Sequence, residues 1–139
     1  MYQEHIAVRS NQVILGPFGD DGVAASQSNA QLTLLPLTND GVVMPKAGYV
    51  VGIAWTLTAA ATAGSLTIGV SIDGTENTDT TQTVSTAQEG YASWRSGDVA
   101  PRFAAGEQIG VEITTDASWD ATTADLAVWV FVVFEDWDF

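Results

Sequence analysis

The stretch Met44–Gly74, MPKAGYVVGIAWTLTAAATAGSLTIGVSIDG, decides the fold. In its first half Tyr49, Val51, Ile53, Trp55 and Leu57 share one parity, and Val50, Gly52, Ala54, Thr56 and Thr58 share the other. In its second half Leu66, Ile68, Val70 and Ile72 alternate with Thr67, Gly69 and Ser71. A period of two places every second side chain on one side of a pleated sheet. Two such segments joined by the small-residue run AAATAG read as a β-hairpin with one apolar face and one small, mostly polar face. The aromatic and aliphatic residues of the first parity are expected inward.

Outward from this stretch the same theme recurs. Ile109, Val111 and Ile113 alternate with Gln108, Gly110, Glu112 and Thr114, and join the residues expected inward. Short strands are expected at Gln31–Leu35 and Val42–Met44, flanking a turn at Asn39-Asp40-Gly41, because Asp-Gly tolerates the positive φ of a hairpin turn. Further strands are expected near Thr80–Ser85 and Tyr91–Trp94, with 95–108 as a loop. No segment carries a helical period. The last segment, Leu126 to Glu135, is apolar on both faces: Leu126, Val128, Val130, Val132 and Phe134 on one, Ala127, Trp129, Phe131 and Val133 on the other. A strand of this kind needs cover on both sides. Its second cover is either the chain's own N-terminal segment or a neighbouring subunit, and Trp129, Phe131 and Val133 are the subunit-interface candidates. Many short strands separated by turns predict an all-β chain: a single antiparallel β-sandwich of jelly-roll type.

Composition narrows the function. The 139 residues suffice for one domain with a real core. We divide them into a distinct segment, 1–22, and a sandwich domain, 23–139. Seventeen acids against four Lys and Arg give a net charge of −13. Such a chain lacks the basic stripe that nucleic acid or an anionic membrane surface requires. Strong negative charge instead keeps molecules hydrated and apart. A lone lysine and an excess of Asp over Glu would also suit a saline habitat. No apolar run is long enough for a membrane span, and the N-terminus lacks the layout of a signal peptide.

Reactive chemistry is sparse. His5 is the only histidine and there is no cysteine, so neither a Ser-His-Asp constellation nor a zinc site is indicated, and no cofactor is expected. The oxygen-rich turn containing Asp73, Glu76 and Asp79 is a weak calcium candidate, and Asp116 with Asp120 forms a second acidic cluster. Neither has EF-hand spacing. Trp94 and Trp119, in or near loops, are the aromatics placed to stack on a ligand such as a sugar. The chain is expected not to be an enzyme.

The order of motifs carries a resemblance. Pro45-Lys46-Ala47-Gly48-Tyr49 opens a long strand containing Trp55. Then come GSLTIGVSIDG (Gly64–Gly74), a polar excursion, FAAGEQIGVEITT (Phe103–Thr115), a short loop and an apolar final strand. This resembles small bacteriophage virion proteins, the capsid decoration proteins and head or tail fibre heads with a jelly-roll fold. It is distantly similar to the trimeric C1q/TNF-like jelly rolls, with Glu107 where that family usually has Asp. The similarity spans about residues 41–135. It implies a homotrimer on the virion surface, without catalysis, bound to the major capsid protein. The segment 1–22 is then the capsid-contact candidate, through Ile6, Val8, Arg9, Val13, Leu15 and Phe18. An ordinary edge strand is its alternative. A carbohydrate- or receptor-binding module of a viral fibre or tail is the alternative function.

Overall fold

The structure is a computed structural model that describes residues 12–94 and 100–135. Twelve strands and one 3-10 turn make two antiparallel sheets. They run β1 (Gln12–Asp20), β2 (Ala30–Gln31), β3 (Thr33–Leu34), β4 (Gly41–Val43), β5 (Gly48–Leu57), β6 (Leu66–Ile72) and β7 (Thr75–Glu76). The turn Thr78–Thr80 follows, then β8 (Gln82–Val84), β9 (Glu89–Ser93), β10 (Arg102–Phe103), β11 (Gln108–Thr115) and β12 (Leu126–Phe134). Sheet A has the order β10-β5-β12-β1-β3, with β9 also on β5. Sheet B has the order β2-β11-β6-β7, with β4 on β11 and β8 on β6. The long-range pairings nest: β1 with β12, β4 with β11, β5 with β9 and β10, β6 with β8. Nested antiparallel pairing split over two sheets is the jelly-roll arrangement expected from the strand pattern.

The expected hairpin between the two halves of Met44–Gly74 does not form. β5 lies in sheet A and β6 in sheet B, so residues 58–65 cross between sheets. Period two defines faces but not partners, and each of these strands pairs along its length with a strand remote in sequence: β12 for β5 and β11 for β6. The crossing is held by side chains. Asp120 accepts hydrogen bonds from the Thr62 amide and hydroxyl, and Asp116 accepts from the Ser65 amide and hydroxyl. Gly64 has φ +81° and lies so close to the backbone of Trp119 that a Cβ would collide with it.

The expected strand Gln31–Leu35 is likewise divided. Its start pairs with β11 in sheet B, its end with β1 in sheet A, and buried Leu32 sits at the switch. The turn at Asn39-Asp40-Gly41 therefore joins strands of different sheets rather than a hairpin.

Within β5 the alternation slips. Phe131 faces Gly52, but Val132 faces Val50, which leaves Val51 as an extra residue. A β-bulge of this kind reverses the parity of everything beyond it. Val50 is buried with Ile53, Trp55 and Leu57, and Tyr49 and Val51, expected inward, are only partly buried. The remaining inward assignments hold: Leu66, Ile68, Val70, Ile109, Val111 and Ile113 are completely buried, and Ile72 packs against the core from the strand end.

Candidate interaction surface

The inner faces of both sheets form one core. The outer face of sheet A is also apolar. From β12 it presents Ala127, Trp129, Phe131 and Val133, which pair with Thr56, Ala54, Gly52 and Tyr49 of β5. On one flank β1 adds Ile14, opposite Phe131, and on the other β9 adds Tyr91, opposite Ala54. Ile14 is 63% exposed and Tyr91 81% exposed. Trp129, Phe131 and Val133 are half-buried, covered by neighbours on their own sheet but by nothing above it among the described residues.

Relief on this face comes from residue size. Gly52 and Ala54 are small where Phe131, Trp129 and Tyr91 are large, and a depression of about 420 Å³ opens between Ile14, Val51, Phe131 and Tyr91. A second hollow lies between Trp129, Thr56, Glu89 and Tyr91. Charges stand at the margins. Arg102 pairs with Glu135 and stacks 6.0 Å from the centre of the Tyr49 ring. At the opposite end Asp20 has its pKa raised, first by burial and then by Asp21 and Asp125. Contiguous exposed apolar surface rimmed by polar groups is the usual form of a protein contact site.

The other anticipated sites fare differently. Of the capsid-contact candidates, Ile6, Val8 and Arg9 lie outside the described residues. Leu15 and Phe18 are core side chains of β1 and are not available to a partner: β1 is hydrogen-bonded along β12, and the register irregularity between them turns both inward despite their opposite parity. Val13 is exposed at the start of β1.

Trp119 is 2% exposed, and its indole N–H donates to the Val23 carbonyl at 3.1 Å. It plugs the end of the sandwich rather than meeting a ligand. Trp94 is half-buried against the core, and its amide donates to the Val51 carbonyl. Neither Ile14, read from sequence as part of the N-terminal contact segment, nor Tyr91 was assigned to this face beforehand. Their signal was present: each sits opposite an outward residue of β12 or β5 once the pairing is known.

No group of three or more His, Asp or Glu side chains among the described residues is arranged to hold a metal ion. Asp73 accepts from the Gln108 amide, and Asp79 lies in the 3-10 turn capped by Asn77, while Glu76 folds back over Gly69. Asp116 and Asp120 are engaged by the 58–65 crossing. Hydrogen bonds from Thr62, and then from Ala63, hold the pKa of Asp120 below the usual carboxylate range. No family model matches the chain, and no curated protein matches it significantly.

Proposed function

We propose that this chain is a non-enzymatic structural protein of a phage virion. In this reading it assembles with copies of itself through the outer face of sheet A and decorates the outer surface of the capsid. The observation that carries the self-assembly is the aromatic, nearly uncharged outer face of sheet A on a chain of net charge −13. A second copy is the occupant best suited to it, since two such faces lose apolar surface together and Glu89, at the β9 edge, is the one carboxylate lining either hollow. Full burial of a Trp, Phe or Ile side chain contributes roughly 1.5–3 kcal/mol. The resemblance over residues 41–135 supports a trimer and a virion location. The acidic remainder of the surface would keep particles apart in solution.

Capsid binding falls to residues 1–11 and to the exposed start of β1, since the rest of β1 belongs to sheet A. Contacts made only to an assembled lattice reinforce it by mass action and need no catalysis. The test is particle composition. Purified virions should contain the protein in many copies, and a chain lacking residues 1–11 should still fold and trimerise but be missing from particles. Virions that never contain the full-length protein overturn the reading.

The alternative, a carbohydrate- or receptor-binding module of a fibre or tail, is favoured by one observation: Tyr91, beside Trp129, is the most exposed large hydrophobic side chain described. Binding on a glycan array that Tyr91→Ala abolishes would decide for it.

A further inference from the structure

The outer face of sheet B carries two mid-strand glycines. Gly110 of β11 stands opposite Ser71 of β6, and Gly69 of β6 stands opposite Glu112 of β11. Each is covered by polar side chains reaching diagonally over it. Over Gly110, a Cβ would come within 2.9 Å of Ser71 Oγ and 3.2 Å of Gln31 Oε1. That diagonal closes with a hydrogen bond, Gln31 Nε2 donating to Ser71 Oγ at 3.2 Å.

Over Gly69, a Cβ would come within 2.7 Å of Glu76 Oε2. Glu112, directly opposite Gly69, approaches from the other side, close enough for its charge to act on Glu76. Here nothing closes. Glu112 is 4% exposed, and both its Oε2 and the Oε2 of Glu76 are buried without a hydrogen-bond partner.

Among the described residues the surroundings offer no compensating charge. The strands β2, β4, β6, β7, β8 and β11 contain no basic residue. The other ionisable groups on this side are acids: Asp73, bonded to the Gln108 amide, and exposed Asp79. The side chains facing the pair are the neutral Gln31, Ser71 and Thr67. With fewer than three convergent ligand side chains, a metal ion is poorly served. Two adjacent carboxylates in such a place cannot both ionise cheaply, whereas one proton supplies the missing donor.

We propose that Glu76 and Glu112 share one proton in the folded chain, and that this makes the β7–β8 margin of sheet B a pH-sensitive device. With the proton bound, the carboxyl–carboxylate hydrogen bond closes over Gly69 as Gln31–Ser71 closes over Gly110. Without it, like charges push Glu76 off the sheet. The margin from β7 to β8 is then held by its backbone pairing, the buried Val84 side chain and the Thr80 hydroxyl, which accepts from the Val70 amide and donates to the Asn77 carbonyl.

Burial raises both pKa values, with the neighbouring Glu112 adding to the rise at Glu76. A carboxyl whose folded pKa lies above its unfolded one binds its proton more tightly when folded. Stability is therefore complete below the ordinary glutamate range and is lost as pH rises through the folded value.

The test is thermal unfolding of the intact protein in metal-free buffer between about pH 5 and pH 9. The wild type should lose on the order of 3 °C across that range beyond the loss shown by the control Asp79→Asn, which removes a nearby exposed charge. Glu112→Gln, whose amide can donate to Glu76, should abolish that excess loss and exceed the wild type at the alkaline end. Glu76→Gln should do the same, and serves if the first variant fails to fold. Side-chain carbonyl NMR should show the pair titrating in two steps, the upper one above the ordinary range. Profiles unchanged in both glutamine variants would overturn the proposal. So would a rise in wild-type Tm on adding calcium at alkaline pH that Glu112→Gln lacks, because the pair would then hold a cation.

Discussion

The outer faces of sheets A and B are built by the same period-two strands and end as opposites. On sheet A the outward positions hold the large apolar Ile14, Tyr49, Tyr91, Trp129, Phe131 and Val133, with Thr56, Glu89 and Ser93 toward the β9 edge. On sheet B they hold Gln31, Thr67, Gly69, Ser71, Gly110, Glu112 and Thr114, with a single exposed large apolar residue among those described, Val43, opposite Gln108 at the β4 edge. Sheet A leaves large apolar surface half-covered, which a partner would complete. Sheet B completes itself with its own side chains folded over two glycines. In the proposed assembly the second cover of sheet A would come from another molecule, whereas that of sheet B comes from the same strands. It also separates two kinds of strand glycine. Gly69 and Gly110 are already filled, while Gly52 lies in an open depression.

The largest expected effect concerns what the two faces share, the core between them. Trp119→Ala removes a fully packed indole and the hydrogen bond to the Val23 carbonyl. It should cost roughly 3–5 kcal/mol of folding stability, measured by denaturant unfolding. A loss near zero would mean that the indole is not a plug and that the ligand reading of Trp119 should be restored.

Next in size is the contrast itself. Trp129→Asp places a charge in the centre of the sheet A face, and Thr67→Asp places one on sheet B. Truncating a hot-spot residue, most often a Trp, Tyr or Arg near the centre of an interface, costs about 2 kcal/mol or more in binding. Light scattering should therefore report loss of the oligomer for Trp129→Asp at concentrations where Thr67→Asp keeps its mass. Equal masses for both variants and the wild type at every concentration would remove the case for assembly through sheet A.

A smaller pair of changes separates the two kinds of glycine. In Gly52→Ala the new Cβ meets Phe131 and the Ala92 carbonyl at 3.4 Å, an ordinary contact. Alanine in a strand interior should stabilise the subunit by about 0.5–1 kcal/mol, while partly filling the depression and weakening self-association. In Gly69→Ala the methyl meets the flexible end of Glu76, which must move off the sheet. The strand gain is then offset, association is untouched, and the pH dependence assigned to the Glu76–Glu112 pair shrinks. Calorimetric Tm and sedimentation of both variants check these outcomes together.

The residues themselves explain how much of this was legible beforehand. The strands and their inward faces could be read wherever alternation was unbroken, as in Leu66–Ile72 and Gln108–Thr115. Tyr49 and Val51 were misassigned because one extra residue in β5 reverses parity, and a bulge leaves no mark in the pattern of apolar residues. The hairpin at 58–65 was misread because sequence neighbourhood suggested pairing, whereas a jelly roll pairs strands that are remote in sequence. Trp129, Phe131 and Val133 were recognisable as a second apolar face because β12 is apolar at every position. Ile14 and Tyr91 were hidden, since a single apolar residue acquires a face only through its cross-strand partner. The Glu76–Glu112 pair was hidden for the same reason: the two residues lie on different strands and meet only across β6.

The smallest expected effect lies at the sheet-to-sheet crossing, where pH acts with the opposite sign. Asp120 is exposed, and its carboxylate is held ionised by the Thr62 amide and hydroxyl. A carboxyl whose folded pKa lies below its unfolded one contributes stability that is present above the ordinary aspartate range and lost as pH falls through the folded value. Exposure and solvent screening keep that contribution small. Asp120→Asn should thus lower Tm slightly near neutrality, and the difference should vanish as pH falls below the folded value, where the wild-type carboxyl is itself protonated. The glutamate pair on sheet B acts on the alkaline side, so each limb of the stability profile reports on one region. A double variant, Asp120→Asn with Glu112→Gln, should flatten both limbs by the sum of the single effects, because the sites share no partner. A departure from that sum would mean that the crossing and the sheet B margin open together, and the two regions would have to be treated as one unit.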